Sequence, residues 1–521
     1  MDAQLLALII LLIIYIPTYF IVKKSKWCKE HGLVTSSVLI MLNTKWGIKL
    51  MTRLGKYKRF WRVCGVVSWI VTAILMIGMV SILILDMMII PKMGGTAGLG
   101  VTYVLAIPGI NPALPLFYGW VGLIIAMVVH ETAHGIQTKA NDMEVESTGV
   151  IHCVVPLGAF VKPDEEQVSK CSRRAKMDLY AAGITTNFFV ALLAFGLMLG
   201  GMTCGLTSDY GDSPAVYGTV SSSPGYDSGI PSTAIILSVD GNEVNSLSDF
   251  MNSITECKEY TVKYNYKGEI TEKSVVLGTY VYKVVAGSPA DHGNMTGSTM
   301  LYSIAKIDSK TEAVTEEKII GSNYSFTEFM NTTKPGEVVL VKWYEYSDST
   351  LGELVEGTVT LGDKNGIGYL GITVNTSGFG FTTPNSMVST GTDPFYGKTT
   401  ITEKYSGLLS FVGNAFSGYS PVPESTHWWY HSEGVPDNLF WFGISILFWV
   451  FWLNIVLGIT NALPAVPFDG GFLFMGGLSF LFEKMGMKNE EKREALVDRI
   501  GMAVTYVVLA MVALIIVVMV I

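Results

Sequence analysis

Six apolar stretches constrain the fold of this chain more than any other feature, because each could cross a bilayer as a helix. Backbone inside a bilayer must satisfy its own hydrogen bonds, so such stretches can only pack together as helices. The composition agrees: 50 % of the 521 residues are hydrophobic and only 15 % are charged, against about a quarter charged in soluble proteins. The sequence therefore predicts a polytopic α-helical membrane protein with about six crossings, at residues 3–22, 66–90, 117–139, 179–201, 440–482 and 501–521.

The charged residues between these stretches predict the topology. Residues 23–62 contain eleven Lys or Arg and one acid, which is typical of a cytoplasmic segment. The polar segment 204–437 contains 27 acids, 13 lysines and no arginine. If residues 23–62 are cytoplasmic, counting the crossings from there puts residues 204–437 and both chain termini on the extracytoplasmic side of the cell membrane. The net charge of −8 argues against a nucleic-acid partner.

The six cysteines show no CxxC or other close pairing, which argues against a cysteine-based zinc site. Cys204 and Cys257 are the two within the polar segment. They could form a disulfide if that segment is extracytoplasmic. The sequence leaves their state open.

A metal-binding motif, His130-Glu131-Thr-Ala-His134, ends the third apolar stretch near its cytoplasmic side. On a helix, residues four apart lie on one face, so His130 and His134 can reach one ion. Glu131 lies beside that face and could polarise a metal-bound water, as in the zinc-hydrolase motif HExxH. Ionisable side chains in a membrane segment are costly and therefore indicate function.

The third ligand has to come from elsewhere, because no His or acid follows His134 at a suitable spacing. The fifth apolar stretch is broken by two prolines and two glycines between Asn461 and Gly471, which prevent a continuous helix. Broken backbone is tolerated in a membrane only where it is buried or lines a cavity. Asp469 lies in this break, and completing a site for one Zn²⁺ ion is the best reason for a carboxylate there.

Two shorter segments have their own predictions. The β-branched residues between 149 and 162 predict a β-hairpin or strand layer at the membrane. Residues 91–116 are rich in Gly and Pro and carry one charge. They either pack against the outer membrane face or form a plain loop.

The polar segment contains a weak internal repeat. Residues 223–244, with a Ser-Pro turn, a strand and an Asp-Gly turn, resemble the core of a PDZ domain, and residues 247–254 supply its helix. Residues 287–297 resemble the start of a second such domain, with residues 325–330 as its helix. PDZ-like domains bind a peptide as an added strand, but these two could also act only as bulky covers.

The remainder of the polar segment, residues 376–437, is rich in Gly, Ser, Thr and Pro and predicts a linker. His427 and His431 are four residues apart in it, but no acid lies between them. The aromatic residues between them favour anchoring at the membrane interface over metal binding.

The two membrane motifs together resemble the site-2 protease family of intramembrane zinc metalloproteases. The resemblance rests on His130 to His134 and on Asn461-x-x-Pro-x-x-x-x-Asp469-Gly, with Phe468 where the family usually has Leu. PDZ-like domains inserted between two catalytic halves also fit the family, whose archaeal and bacterial members the chain resembles most.

The resemblance implies roles for individual residues. His130, His134 and Asp469 would bind zinc, and Glu131 would be the general base. Gly183-x-x-x-Asn187 resembles a further family motif, so the amides of Asn187 and Asn461 would hold the substrate backbone or polarise its carbonyl. For Asn187 a helix–helix hydrogen bond is the alternative. The family's β element, which an unwound substrate would pair with, corresponds to Gly158, Ala159, Phe160 and Val161.

The expected organisation is an N-terminal helix pair with an outer loop, a first catalytic half, two PDZ-like domains, an extracytoplasmic linker and a second catalytic half. The respective residues are 1–116, 117–203, 204–279, 280–375, 376–437 and 438–521.

The leading functional hypothesis is regulated intramembrane proteolysis. The enzyme would cut single-span membrane proteins within or near their helix, after cleavage by an upstream extracytoplasmic protease. The insert would filter substrates by size or bind the new C-terminus. A non-proteolytic adaptor acting through the PDZ-like domains is the alternative, although it would not need His130, Glu131, His134 and Asp469. A metal transporter would need polar residues on several spans, and the first, second and sixth have almost none.

Overall fold

Long helices dominate both ends of the chain, and short strands dominate its middle. This computed structural model describes residues 3–89, 107–108, 111, 114–153, 155–308, 311, 313–347, 349–413 and 421–520. The chain divides into two compact units. Unit 1 comprises Met1–Cys204, Leu408–Ser420 and Asn438–Ile521, and unit 2 comprises Gly205–Gly407 and Pro421–Asp437.

The helices follow the apolar stretches at both ends and are short between them. In chain order they are α1 (Ala3–Lys24), α2 (Lys26–Glu30), α3 (Ile48–Gly55), α4 (Lys58–Ile89), α5 (Leu116–Ala140), α6 (Glu165–Lys170), α7 (Arg173–Gly205), α8 (Pro224–Asp227), α9 (Leu247–Ser253), α10 (Pro289–His292), α11 (Asn323–Met330), α12 (Pro384–Thr392), α13 (Ile401–Gly413), α14 (Asp437–Asn461), α15 (Asp469–Lys484) and α16 (Glu490–Val520). A 3₁₀ helix spans Glu424–Trp429.

The strands form two groups, one before α6 and one between α7 and α14. In chain order they are β1 (Leu33–Ser36), β2 (Leu39–Thr44), β3 (Val145–Cys153), β4 (Val155–Pro163), β5 (Leu206–Ser208), β6 (Ala215–Thr219), β7 (Ile235–Val239), β8 (Asn242–Glu243), β9 (Lys258–Tyr266), β10 (Glu269–Leu277), β11 (Thr279–Val284), β12 (Thr299–Ile307), β13 (Val314–Ile319), β14 (Val338–Ser347), β15 (Thr350–Thr360), β16 (Gly362–Lys364), β17 (Ile367–Tyr369), β18 (Ile372–Thr376), β19 (Phe379–Thr382) and β20 (Tyr430–Ser432).

Unit 1 contains the helices that are long and apolar enough to cross a membrane. Within the described residues there are five, which fits the predicted membrane protein; the total of about six crossings stays a prediction. The predicted break in the fifth apolar stretch is present, because α14 ends at Asn461 and α15 begins at Asp469. The prediction for residues 91–116 falls mostly outside the described residues.

Unit 1 also holds a four-stranded antiparallel sheet in the order β1-β2-β3-β4. Strands β3 and β4 are the predicted hairpin. Strands β1 and β2, which no sequence pattern predicted, come from the basic segment; β1 pairs with β2, and β2 pairs with β3. The Tyr15 hydroxyl on α1 lies within hydrogen-bond distance of the carbonyl oxygens of Val38 and His152 and shares its one proton between them. The N-terminal helix therefore holds the sheet at both hairpins.

Unit 2 is built from a structural repeat. Its sheets have the orders β10-β9-β7-β6-β19 and β15-β14-β12-β11-β18, and each carries one further short strand. Each sheet encloses its own apolar core against a short helix. Ser223 caps α8 and lies against Gly378, and Ser288 caps α10 and lies against Gly371. The internal repeat thus has matching geometry, whereas its assignment to PDZ domains stays a prediction.

The domain boundaries predicted within residues 204–437 stay a prediction. The strand β19, within the stretch predicted as a linker, pairs with β6 of the first sheet. The second sheet is therefore nested, in sequence, inside the first. Strand β20 of the same stretch pairs with β5.

The structure also bears on the possible disulfide between Cys204 and Cys257 and on metal binding by His427 and His431. Cys204 and Cys257 are both free thiols. Burial, with the charge of Glu256 beside it, raises the pKa of Cys257 to about 12. His427 lies in the 3₁₀ helix and His431 in β20, and neither belongs to the metal-binding group found among the described residues.

Candidate metal centre

Three ligand side chains from two distant helices converge in unit 1. Nε2 of His130 lies 3.1 Å from Oδ2 of Asp469, and Nε2 of His134 lies 3.2 Å from the same oxygen. In the described part of the chain, this is the one group of three or more such residues whose ligand atoms all lie within 4.8 Å of one another. The two predicted halves of the site therefore meet in space.

Local sequence explains how Asp469 reaches the histidines. His130 and His134 project from one face of α5. Asp469 is the first residue of α15, directly after the broken segment. A Cβ atom on Gly470 would lie 2.4 Å from the carbonyl oxygen of Ala462, and one on Gly471 would lie 2.6 Å from the carbonyl carbon of Ala465. Only glycines allow α15 to begin against the break, which aims Asp469 at α5.

The donor geometry fits a zinc ion. Oδ2 of Asp469 is buried and forms no aligned hydrogen bond with any described residue, although both imidazoles are close. Two ligand atoms about 2 Å from a tetrahedral ion lie about 3.3 Å apart, which is close to the observed separations. Two imidazoles and one carboxylate are also a ligand set typical of catalytic zinc.

A backbone carbonyl orients one of the ligands. Nδ1 of His134 donates a hydrogen bond to the carbonyl oxygen of Leu179 on α7, at 2.8 Å. Because a carbonyl can only accept, the neutral imidazole carries its proton on Nδ1 and presents the lone pair of Nε2 to the site. Helix α7 thus sets the tautomer as well as the direction of the His134 ring.

Helix α7 also passes close to both rings. A Cβ atom on Gly183 would lie 2.6 Å from Cε1 of His130 and 2.6 Å from Nε2 of His134. Position 183, in the predicted Gly183-x-x-x-Asn187 motif, therefore has to be glycine, because the two imidazole rings leave no room for a side chain.

Glu131 lies in the same cavity as the three ligands. The cavity has a volume of about 1030 Å³ and is lined by His130, Glu131, His134, Val161, Asn461 and Asp469 among others. Oε2 of Glu131 accepts a hydrogen bond from the backbone N–H of Val161 on β4, at 2.9 Å. A carboxylate, a metal-ligand set and room for a peptide are thus present together.

The two asparagines differ in their surroundings. Asn461 lines the cavity, and its Nδ2 donates to the carbonyl oxygen of Leu457 at 3.1 Å. Asn187 is fully buried, and neither of its amide atoms has a hydrogen-bond partner among the described residues. A Cβ atom on Gly458 would lie 3.4 Å from Cβ of Asn187. The roles predicted for Asn187 and Asn461 remain predictions.

The predicted β element is strand β4. Gly158, Ala159 and Phe160 pair with β3 together with Val161, and of these four residues only Val161 lines the cavity. Sequence reasoning missed the Leu179 carbonyl and the stacking of Tyr180 on Phe472, whose ring centroids are 4.6 Å apart. A backbone carbonyl has no sequence signal, whereas Phe472, one turn after Asp469 on α15, could have been noticed.

Comparison with known proteins agrees with this geometry. A sequence profile of Peptidase family M50 matches residues 118–508, which is well over half of the chain and includes both motifs. An uncharacterized protein of Methanocaldococcus jannaschii is 28 % identical over 307 residues, which cover 57 % of this chain and 75 % of that protein. The name of that protein assigns no activity, so this similarity gives no information about function.

Proposed function

The chain belongs to peptidase family M50, the site-2 protease family of membrane metalloproteases, and from this premise we propose that it is an intramembrane zinc endopeptidase. Its substrates would be single-span membrane proteins, cut within or near the membrane helix. The observation that carries the proposal is the convergence of His130, His134 and Asp469 beside Glu131 in one cavity.

The chain's own residues can perform the steps of peptide hydrolysis. His130 and His134 would hold the ion through Nε2 and Asp469 through its carboxylate. When bound, zinc would act as a Lewis acid that lowers the pKa of a water molecule. Glu131 would accept the proton of that water and pass it to the leaving amine.

Buried amides would orient the substrate. Asn461 lines the cavity, so its side chain can donate to or accept from a peptide group there. Asn187 has two unpartnered amide atoms among the described residues, and a buried amide without partners is costly. A substrate backbone or its carbonyl would satisfy both atoms of Asn187 if it reached them, although of the two asparagines only Asn461 lines the cavity.

The edge strand β4 supports an extended substrate. A membrane helix hides its peptide bonds, so it must unwind before hydrolysis. Because β4 ends the sheet order β1-β2-β3-β4, its outer edge can accept a further strand. The residues Gly158 to Val161 would therefore pair with the unwound segment next to the zinc ligands.

The polar segment would control access from outside the cell membrane. Its acidic composition supports an extracytoplasmic position, and the basic segment 23–62 supports a catalytic site toward the cytoplasm. The two repeats of unit 2 would exclude substrates with large outer domains, or bind a C-terminus left by an upstream protease. A lipid bilayer and single-span proteins are thus the proposed partners, and nucleic acid is not.

The substitution Glu131→Gln tests the function directly. It keeps the size of the side chain and removes the base, so kcat on a model single-span substrate in proteoliposomes should fall by about a hundredfold or more. Zinc content, measured by metal analysis, should stay at one ion per chain. Glu166→Gln, an exposed change on α6, is the matched control and should keep full activity.

Two outcomes would contradict the proposal. Undiminished cleavage by Glu131→Gln would exclude the base, and a wild-type protein that binds no zinc would exclude the metal centre. An adaptor that acts only through unit 2 predicts instead that neither the wild type nor Glu131→Gln cleaves the substrate, and that zinc is not required.

A further inference from the structure

The catalytic carboxylate is attached to the strand that would receive the substrate. The hydrogen bond from the Val161 N–H to Oε2 of Glu131 is 2.9 Å long and joins β4 to α5. A hydrogen bond to an ionised carboxylate is about twice as strong as one between neutral groups. It therefore restrains Glu131, whose side chain has three rotatable bonds and would otherwise be free to turn in the cavity.

The direction of this N–H fixes which groups of β4 face outward. In an antiparallel pair, successive residues point their N–H and C=O groups alternately toward and away from the neighbouring strand. Val161 is opposite Thr148, and Ala159 is opposite Val150 in the same alternation. Because the Val161 N–H points away from β3, so do the C=O of Val161 and both backbone groups of Ala159. Gly158 and Phe160 face β3.

The outer edge of β4 therefore offers an incoming strand different hydrogen-bonding groups at Ala159 and at Val161. Among the described residues β4 has a strand neighbour on one side only. Both backbone groups of Ala159 can pair with an incoming strand, since no described residue bonds to them on this side. At Val161 the N–H is already taken by Glu131, so a substrate carbonyl opposite Val161 cannot bond to the strand and remains available to the metal centre.

We propose that the backbone N–H of Val161 is a positioning group for Glu131 and sets the cleavage register: the substrate pairs with Ala159, and its scissile peptide bond lies opposite Val161. This inference rests on the proposed endopeptidase function. It concerns the backbone, so scanning of side chains would not reveal it.

The hydrogen bond from Val161 leaves one oxygen of Glu131 available for the proton transfers of hydrolysis. With Oε2 held by Val161, Oε1 accepts the proton of the attacking water. The water oxygen forms a bond to the scissile carbonyl carbon, the carbon–nitrogen bond breaks, and the same proton goes to the leaving amine. No further reactant is needed.

The test removes the N–H of Val161. The ester also weakens the preceding carbonyl, that of Phe160, as a hydrogen-bond acceptor, and the control at Val314 shares this change because the Ala313 carbonyl accepts a hydrogen bond from the Asp308 N–H. Replacing Val161 by its α-hydroxy acid through nonsense suppression turns this one amide into an ester. We expect kcat to fall about tenfold to a hundredfold, with KM within about twofold and zinc content unchanged, because only the general base is misplaced. The same hydroxy acid at Val314, in the short strand β13 of unit 2, is the matched control and should leave both constants unchanged.

A cross-linking measurement tests the register independently. In a Glu131→Gln background, Ala159→Cys should form a disulfide with a substrate cysteine placed two residues from the scissile position, on one side of it only. Paired strands bring Cα atoms within the distance that a disulfide spans, and residues two apart share one face.

The outcomes separate this inference from the proposed function. A wild-type kcat in the Val161 ester, an effect on KM alone, or cross-links without a preferred position would overturn it while Glu131→Gln remained inactive. An active Glu131→Gln would overturn the function itself.

Discussion

Gly183 is the residue at which the site tolerates no side chain. Its Cα faces both imidazoles, and an added Cβ would lie within 2.7 Å of Nε2 of His130 and of Nε2 of His134. Real Cβ atoms do not approach other atoms so closely, so a ring or the helix α7 must move. The rings cannot yield without losing the shared direction of their Nε2 atoms. Gly183 therefore supports metal binding without contacting the metal.

The change Gly183→Ala should weaken zinc binding by at least about tenfold, as loss of a group that orients a ligand does. Competition with a chelator of known affinity measures this. Gly196→Ala is the matched control, because it lies on the same helix and its added Cβ would meet nothing within 4 Å. Equal zinc affinities of the two variants would contradict the steric account.

At the scale of elements, the four-stranded sheet connects the N-terminus with the catalytic centre. Gly149 on β3 pairs with Asn43 on β2 and with Phe160 on β4. An added Cβ would lie 2.1 Å from the carbonyl oxygen of Leu42 and 2.6 Å from the Phe160 ring. The close packing of β2, β3 and β4 therefore depends on this glycine. The N-terminal strands thereby support the edge strand that holds Glu131.

The change Gly149→Ala should lower kcat by about tenfold or more while zinc content stays at one ion per chain. The reason is that the sheet would shift relative to α5, whereas His130, His134 and Asp469 all lie on helices. Measuring kcat and zinc content on the purified variant checks this prediction. Val150→Thr, an exposed change of similar shape on the same strand, should behave as wild type; parallel loss of zinc and activity in Gly149→Ala would argue for general misfolding.

At the scale of the whole molecule, chemistry and insert belong to different units. The three ligand residues and Glu131 all lie in unit 1. Each sheet of unit 2 has an apolar core of its own. A metal that binds only the folded site stabilises the part of the chain that supplies its ligands.

Removal of zinc should therefore destabilise unit 1 selectively. A ligand present at a thousand times its Kd contributes about 4 kcal/mol, so chelation should strongly accelerate hydrogen exchange around His134, Gly183 and Asp469. Exchange in the central strands β7 and β12 of unit 2 should not change, which gives an internal control. Exchange measured by mass spectrometry, with and without chelator, checks this. Uniform acceleration across both units would contradict it.

Much of the site was predictable because it rests on local patterns. Two histidines four apart imply one helix face, and a carboxylate among prolines and glycines in an apolar stretch implies a broken membrane helix. The β-branched residues 149–162 likewise predicted the hairpin. Each signal depends on residue type and spacing within one turn, strand or break.

The tertiary structure alone decided how these pieces combine. The pairing of β2 with β3 and the return of β19 to the first sheet of unit 2 join residues far apart in sequence. The sequence predicted that Asp469 shares a site with His130 and His134, and the fold brings its Oδ2 within 3.2 Å of both Nε2 atoms. The hydrogen bonds of the Leu179 carbonyl and the Val161 amide add a second reason. Every residue carries a carbonyl and nearly every residue an amide, so no residue type marks the backbone group that the fold brings to a catalytic side chain.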